Sequence, residues 1–259
     1  MKVLMQEDSY RSPQIRISWL AARFPNMMFY PKMLRRYFYG LQEAKRGQYD
    51  STMWSNHSLS ALRVLESVGV RIQVDNIKAF KDLDGPCVFV GNHMSVLETL
   101  VLPCIIQPFK EVTFVMKESL VEYPVFKHVM RSRDPVLVGR RDPREDFRSV
   151  MEGGQERLAQ GRSIIIFPQT TRSLGFDPKL FNSMGVKLAV RAGVPVVPIA
   201  LKTDAWSVGK LAKDFGKIHP ERIVHFSFGD PLVITGNGKA EHEQIVEFIQ
   251  GKLEEWSEI

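Results

Sequence analysis

The chain has 259 residues, of which 44% are hydrophobic, and its 35 Lys and Arg outnumber its 29 Asp and Glu to give a net charge of +6. This length and composition predict one large domain with a substantial core, or one domain with an appendage. The basic balance favours acidic partners, namely anionic lipid, phosphate groups, an acidic carrier protein or nucleic acid. No apolar run approaches the roughly 20 residues of a membrane-spanning helix and no secretory signal is evident, so we expect a cytoplasmic protein that is soluble or bound at a membrane surface.

Cysteine and histidine usage argues against disulfide and metal chemistry. Cys87 and Cys104 both lie in apolar stretches, which predicts buried free thiols and favours a reducing compartment. The six histidines are scattered and no Cys-x-x-Cys pair exists, so we expect no metal site.

Residues 1–68 differ in character from the rest of the chain. The stretch 19–39 mixes aromatics and methionines with four basic residues and contains no acid. Residues 1–46 hold nine Lys and Arg against three Asp and Glu, which equals the charge excess of the whole chain. Pro25 and Pro31 are expected to break any single long helix. We predict a helical segment that lies on an anionic bilayer, with a helical appendage packed on the main domain as the alternative.

Residues 69–259 alternate apolar strand patterns with helical ones, and a further helical pattern precedes them at 56–68. Strands are predicted at 70–75, 87–90, 112–116, 135–138, 163–167, 194–201 and 222–228. Helices are predicted from Glu98 to a kink or end at Pro103, and at 120–130, 144–160, 182–192 and from 241 onward. The order predicts an α/β domain over residues 69–259, with one mixed sheet of about seven strands and helices on both faces. Residues 205–220 are expected to form a loop near the site.

The central feature is the apolar run 87–90, which ends at Gly91 and is followed by His93, Ser95 and Glu98. This pattern predicts a buried strand, a turn and a helix start, with His93 at the carboxyl end of the strand, where open α/β sheets bind ligands. Glu98 would hold one imidazole nitrogen and leave the other free to take a proton from a substrate hydroxyl. The alternative is a capping box between Ser95 and Glu98, in which Glu98 bonds to backbone instead.

The same His-x4-acid spacing occurs twice more in the chain. His225 lies in a predicted strand, where five extended residues span roughly 16 Å, so Asp230 cannot reach it. His242 and Glu247 lie in a predicted regular helix and diverge by roughly 140° around its axis. Only at His93 does the pattern straddle a turn from strand to helix.

Two further stretches follow predicted strands and carry anion-binding side chains. An arginine cluster spans 131–148, and the strand 135–138 within it ends at Gly139 and Arg140. The segment 168–173, Pro-Gln-Thr-Thr-Arg-Ser, follows the strand 163–167. Such groups at strand ends indicate a phosphate or polyol site, whereas a solvated face and a simple turn are the alternatives.

Four blocks occur in order between residues 70 and 232. They are Asn-His-Met-Ser-Val-Leu-Glu at 92–98, Leu-Val-Gly-Arg at 137–140, Phe-Pro-Gln-Thr-Thr-Arg-Ser at 167–173 and Val-Pro-Val-Val-Pro-Ile at 194–199. In order and spacing they resemble the NHxxxxD, arginine-ended, FPEGTRS and proline-rich blocks of the glycerolipid acyltransferase family, the bacterial 1-acylglycerol-3-phosphate acyltransferases.

The resemblance implies a mechanism and a set of site residues. His93, oriented by Glu98, would deprotonate a lysolipid hydroxyl, which would attack the thioester of acyl-CoA or acyl-carrier protein with no acyl-enzyme and no cofactor. The expected acceptor is 1-acylglycerol-3-phosphate, with its phosphate on Arg140 and Arg172. The full set of expected substrate-binding residues is Arg140, Gln169, Thr170, Thr171, Arg172 and Ser173.

The resemblance also implies partners and a location. We expect an anionic membrane surface, lysolipid, acyl thioester and acyl-carrier protein as partners, no nucleic acid, and a peripheral or monotopic position at the cytoplasmic face of the inner membrane. Two positions depart from the family's blocks. Glu98 replaces the usual aspartate, as in the related lipid A late acyltransferases, so activity is expected to survive. Gln169-Thr170 replaces Glu-Gly, which is expected to change acceptor contacts. The alternatives are another lysolipid acceptor or a non-catalytic lipid-binding homologue.

Overall fold

The computed structural model describes residues 8–122, 127–169, 171–209 and 213–258. Within these ranges eight strands form one sheet. The strands are β1 (Tyr10–Arg11), β2 (Arg71–Asp75), β3 (Val88–Gly91), β4 (Val112–Lys117), β5 (Val136–Val138), β6 (Ser163–Ile166), β7 (Val196–Lys202) and β8 (Ile223–Phe228). The α-helices are α1 (Trp19–Arg23), α2 (Pro25–Lys45), α3 (Ser51–Glu66), α4 (Lys78–Lys81), α5 (Leu97–Ile106), α6 (Glu118–Glu122), α7 (Lys127–Arg131), α8 (Pro143–Ala159), α9 (Met184–Ala192) and α10 (Lys239–Glu255).

The sheet is mixed, with strand order β1-β2-β8-β7-β3-β6-β4-β5. The five neighbours β7, β3, β6, β4 and β5 run parallel, β8 is antiparallel to β7 and parallel to β2, and β1 is antiparallel to β2. The predicted fold class is confirmed. The prediction of about seven strands missed β1, because two residues are too short to show an alternating pattern.

Both faces of the sheet are covered by helices, as predicted. Along β3, Phe89 packs into the apolar cluster that includes α3 and α5, whereas Val88 and Val90 pack into the cluster with α8, α9 and α10. This alternation follows from the two-residue period of a strand. Because both faces are buried, the central strands β3 and β6 are apolar at nearly every position.

The carboxyl ends of the parallel strands meet at one edge of the sheet, which we call the carboxyl edge. The loop from β7 to β8 also lies there, because β8 runs antiparallel to β7. Gly91 ends β3 at a close approach to β7, since a Cβ at this position would lie 2.9 Å from the Ile199 carbonyl oxygen. A side chain here would push the two strands apart just before His93.

The amino-terminal helices correct one prediction. Pro25 is the first residue of α2 and separates it from α1, but Pro31 lies inside α2, which continues for 21 residues. A proline at the first helical position loses no hydrogen bond, because a backbone N–H at that position would have no intrahelical partner. Pro31 does cost a backbone hydrogen bond. Tertiary packing offsets that cost, as Phe29 is fully buried with its ring edge-on to Trp206 at a centroid distance of 4.8 Å.

Helix α2 contacts the loop between β7 and β8. The backbone N–H of Ile218 donates to Asn26 Oδ1 at 2.8 Å. The Tyr30 hydroxyl donates to the Gly216 carbonyl, and its ring lies 5.8 Å from that of Phe215. The start of α2 is therefore attached to the carboxyl edge of the sheet.

The opposite side of α1 and α2 is exposed and apolar. Exposed side chains include Trp19 (73%), Met27 (70%), Leu34 (53%) and Phe38 (52%). Met27, Leu34 and Phe38 recur at helical spacing and so share one side of α2. In the part of the chain that the structure describes, no helix is both long and apolar enough to cross a bilayer.

Most of the remaining element boundaries lie within two residues of the predictions, but α3 begins at Ser51 rather than at 56, and α4 was not predicted. Helix α5 continues past Pro103 to Ile106, and the Ser58 hydroxyl of α3 accepts a hydrogen bond from the Cys104 N–H beside the proline. The predicted helix 120–130 corresponds to α6 and α7, with residues 123–126 between them outside the described ranges. The division of the chain at residue 68 stays a prediction.

Candidate active site

His93 and Glu98 meet at the carboxyl edge, as predicted. His93 follows β3 by two residues, and Glu98 is the second residue of α5. Their side chains lie 2.8 Å apart, between His93 Nδ1 and Glu98 Oε1. A carboxylate can only accept, so Nδ1 carries the hydrogen and Nε2 is left as the basic nitrogen.

Glu98 also forms the capping contacts that were the alternative to this pair. Its Oε1 accepts from the backbone N–H groups of Met94 at 2.7 Å and Ser95 at 2.9 Å. Its Oε2 accepts from the Ser95 hydroxyl at 3.0 Å and from the Thr203 hydroxyl at 2.5 Å. Both functions coexist because a carboxylate has about four acceptor positions.

Glu98 is ionised despite complete burial. Burial alone would raise its pKa, but the hydrogen bonds from His93, Thr203 and Ser95 outweigh burial, so that the pKa of Glu98 is lowered. A fixed negative charge therefore lies behind His93, where it can stabilise a protonated imidazole ring.

The imidazole ring of His93 is fixed on a second side. It stacks on Phe167, with ring centroids 4.6 Å apart and an interplanar angle of 3°. The His93 side chain is 13% exposed, whereas that of Glu98 is 0% exposed. Among the described residues none makes a hydrogen bond to Nε2. The basic nitrogen is thus the one that remains for a substrate.

The backbone of His93 is held by the third block. Its N–H donates to Gln169 Oε1 at 2.7 Å, and its carbonyl accepts from the Ser173 N–H at 2.9 Å. Gln169 is 4% exposed, so it lies beneath the surface of the site. The amide oxygen of Gln169 makes a contact that a glutamate would also make.

Arg172 forms an ion pair that the sequence did not predict. Its Nη1 lies 2.5 Å from Asp214 Oδ1, on the loop between β7 and β8. Through this contact the loop, which is predicted near the site, lies beside Arg172. Thr171 is exposed, and Thr170 lies outside the described residues.

Arg140 lies farther along the same edge. It follows β5, and β6 and β4 separate β5 from β3. Three strand spacings amount to roughly 14 Å, whereas Arg172 follows the strand next to β3. Arg140 is exposed, and its φ of 58° is in the left-handed region that few non-glycine residues adopt. The structure therefore brings Arg172, more than Arg140, to the side of His93.

The other histidine and cysteine candidates have structural roles. His225 is buried in β8 and stacks on Trp256. His242 stacks on Phe181. Burial raises the pKa of the Cys87 and Cys104 thiols to about 12, so neither is a thiolate at neutral pH.

Four contributors to the site were missed from the sequence: Asn92 as a strand link, Phe167 as a stacking partner, Thr203 and Asp214. Asn92 and Phe167 directly follow β3 and β6, and Thr203 and Asp214 lie on the β7–β8 loop, up to 122 positions away. The only local signal is that three of them lie directly after an apolar strand. Which of these strands are neighbours is not encoded in any short pattern.

Comparisons with known proteins relate this chain to acyltransferases. The family model described as Acyltransferase matches residues 71–202, about half of the chain. A 1-acyl-sn-glycerol-3-phosphate acyltransferase of Pseudomonas aeruginosa is 30% identical over 147 residues, which cover 57% of this chain and 54% of the relative. One from Chlamydomonas reinhardtii is 34% identical over 118 residues, covering 46% and 34%. The matched regions span about a third to a half of these relatives.

The fold has a counterpart among solved structures. The 1-acyl-sn-glycerophosphate acyltransferase PlsC from Thermotoga maritima superposes with a TM-score of 0.67 at 19% identity, covering 91% of this chain and 96% of that one. The resemblance drawn from the four blocks is confirmed by the family model. The chain belongs to the acyltransferase family.

Proposed function

We propose that this protein transfers a fatty acyl group from a thioester to the hydroxyl of a lysolipid at a membrane surface. The observation that carries the proposal is the 2.8 Å contact between His93 Nδ1 and Glu98 Oε1, which leaves Nε2 as a base at the carboxyl edge. The names of the relatives favour 1-acylglycerol-3-phosphate as the acceptor and phosphatidic acid as the product.

In the proposed reaction Nε2 of His93 removes the proton from the acceptor hydroxyl while the oxygen attacks the thioester carbonyl. The buried charge of Glu98 stabilises the imidazolium that forms. The carbon–sulfur bond then breaks, and the departing thiolate takes the proton from Nε2. No protein side chain is acylated, in keeping with the high pKa of both buried thiols.

Arg172 is the proposed ligand of the acceptor phosphate. It follows β6, the strand beside β3, and its own segment is tied to His93 through the Ser173 N–H. A guanidinium can bind a phosphate with two parallel hydrogen bonds. Arg140, Thr170 and Thr171 remain proposed contacts of the acceptor.

Membrane docking through α1 and α2 is part of the proposal. Support comes from the exposed row of Trp19, Met27, Leu34 and Phe38, beside exposed basic residues including Arg23 and Arg35, in a stretch without acids. Aromatic and basic side chains together favour an anionic interface. We propose a peripheral or monotopic location at the cytoplasmic face of the inner membrane, with acyl-CoA or acyl-carrier protein as the donor.

An acyl-transfer assay tests this function. Purified protein is given labelled acyl-CoA or acyl-carrier protein and a panel of lysolipids in anionic vesicles. We expect lipid product from at least one acceptor and about a 10²- to 10⁴-fold loss in His93→Ala. His242→Ala is the matched control, since His242 has the same spacing to an acid but lies in α10, and it should keep wild-type activity.

The panel also separates the alternatives. A lysolipid preferred over 1-acylglycerol-3-phosphate would redirect the acceptor assignment and leave the chemistry intact. Tight vesicle binding without product from any pair of substrates would favour the non-catalytic lipid-binding reading. Vesicle binding that does not weaken with added salt would contradict the electrostatic part of the docking proposal.

A further inference from the structure

Thr203 contacts the candidate base pair from a position shortly after the fourth block and outside all four blocks. It follows β7 directly, is fully buried, and its Oγ1 lies 2.5 Å from Glu98 Oε2. It therefore reaches the carboxylate from the side opposite to His93, which is bonded to the other oxygen, Oε1.

The direction of this hydrogen bond follows from the available protons. Thr203 Oγ1 has two polar neighbours, Glu98 Oε2 and Ser95 Oγ, the latter at 3.0 Å. The Ser95 hydroxyl has two acceptors within reach at 3.0 Å, the Thr203 carbonyl oxygen and Glu98 Oε2, and it accepts from the Leu97 N–H. The ionised carboxylate can only accept. Because two oxygens at 2.5 Å need a proton between them, the Thr203 hydroxyl donates its proton to Glu98.

This contact bears on the presence of glutamate at position 98, where the family's first block carries aspartate. Glutamate has one more rotatable bond than aspartate, so its carboxylate has more orientations that must be restricted. Backbone N–H groups of Met94 and Ser95 hold Oε1 on the side of α5. On Oε2 the Thr203 hydroxyl makes the shortest contact, beside those from Ser95, and it comes from the end of β7 rather than from α5. This donor fixes the remaining rotation and keeps Oε1 directed at His93 Nδ1.

We propose that Thr203 is a positioning residue for the transfer reaction: its hydroxyl orients Glu98 so that His93 holds the tautomer with a free Nε2. The proposal rests on the proposed acyl transfer for its kinetic consequence. It does not require Thr203 to touch either substrate.

Kinetics and NMR test the proposal on the full chain. Thr203→Val removes the hydroxyl at nearly constant shape, and Thr203→Ser keeps it. Thr113→Val is the matched control, since Thr113 is also fully buried but donates to the Arg133 carbonyl. We expect kcat to fall about tenfold in Thr203→Val with acceptor KM unchanged, to recover in Thr203→Ser, and to stay at the wild-type value in Thr113→Val.

The second readout needs no substrate. The Nδ1 proton of His93 should give a downfield proton resonance, assigned by its loss in His93→Ala, that shifts or broadens in Thr203→Val and not in Thr203→Ser or Thr113→Val. If Thr203→Val does not fold, Thr203→Cys replaces it, because a thiol is a weak donor. It should then give a partial loss of kcat.

An unchanged kcat and resonance in Thr203→Val would overturn the proposal. A loss that Thr203→Ser does not restore would also overturn it, because side-chain shape rather than the hydroxyl would then matter. If the wild-type protein transfers no acyl group, the proposed function fails, whereas the resonance still decides whether Thr203 orients the pair.

Discussion

Asn92 and Leu201 exchange two hydrogen bonds through a side chain. Asn92 Nδ2 donates to the Leu201 carbonyl at 2.8 Å, and the Leu201 N–H donates to Asn92 Oδ1 at 2.8 Å. The amide thus continues the pairing of β3 with β7 for one residue beyond Gly91, the last residue of β3. The backbone is thereby fixed immediately before His93.

We expect Asn92→Asp to reduce both stability and activity. A carboxylate can accept from the Leu201 N–H but cannot donate to its carbonyl, and it would be buried beside that oxygen. Losing a buried donor costs about 1–3 kcal/mol. Urea unfolding measures the loss of stability, and kcat should fall because His93 is less well fixed. Asn237→Asp, at an exposed position, is the control. An unaltered kcat would show that the strand link does not position His93.

Shortening the Glu98 side chain should reduce activity less than neutralising its charge. Glu98→Gln removes the charge that stabilises protonated His93, and we expect kcat to fall roughly 10²-fold with acceptor KM little changed. Glu98→Asp keeps the charge but cannot reach His93 and Thr203 together, so its loss should be smaller. Glu247→Gln, the acid of the His-x4-acid pattern in α10, serves as the control. Equal rates for Glu98→Gln and the wild type would contradict the role of the charge.

Substitutions of Arg172 and Asp214, which form an ion pair, should change the acceptor KM in opposite directions. Arg172→Ala should raise the KM of a phosphate-bearing acceptor about tenfold or more, because a charge-assisted hydrogen bond is lost. Asp214→Asn should lower that KM a few-fold, since a partly exposed carboxylate no longer competes for the guanidinium. In the double variant the Asp214 change should have no further effect. An unchanged KM in Arg172→Ala would remove this residue from the acceptor site.

His225 should make the fold sensitive to acid. Burial, reinforced by the nearby charges of Lys202 and Arg11, lowers its pKa to about 4, although Asp75 and Glu255 act in the opposite direction. The unfolded chain therefore binds a proton more readily than the native state between pH 6.5 and 4. Native stability should be full above pH 6.5 and should fall as the pH drops, by about 2 kcal/mol between pH 6.5 and 4.5.

Urea unfolding at several pH values tests this expectation. His225→Phe keeps a ring against Trp256 and should show a flatter dependence on pH over the same window. A wild-type slope in His225→Phe would assign the acid sensitivity to other groups.

The sequence was sufficient for those features that depend on near neighbours in the chain. The meeting of His93 and Glu98 was predictable because a strand end, a turn and a helix start fix their separation. The capping contact of Ser95 was equally predictable, and the two contacts coexist because one carboxylate accommodates both. By contrast, Thr203 and Asp214 reach the site only because β7 lies beside β3, and strand order depends on how the whole apolar surface is buried.

Pro31 shows a second limit of prediction from the sequence. Pro31 was expected to end a helix, since a proline removes a backbone hydrogen bond whatever its context. Helix α2 nevertheless continues, because Phe29 and Trp206 pack across a distance of 177 positions in the chain. The hydrogen bond lost at Pro31 can be predicted from the sequence, whereas the compensating contact between Phe29 and Trp206 cannot.

The two-residue strand β1 has a consequence for solubility. Without it, β2 would present unpaired N–H and C=O groups along the outside of the sheet, next to buried Ile72 and Val74, and such an edge can template pairing with another chain. Arg11 adds a charge at this margin by pairing with Asp75. At the other margin, β5 has only three residues, which leaves little to pair with. The short amino-terminal strand thus protects the protein against aggregation through its sheet.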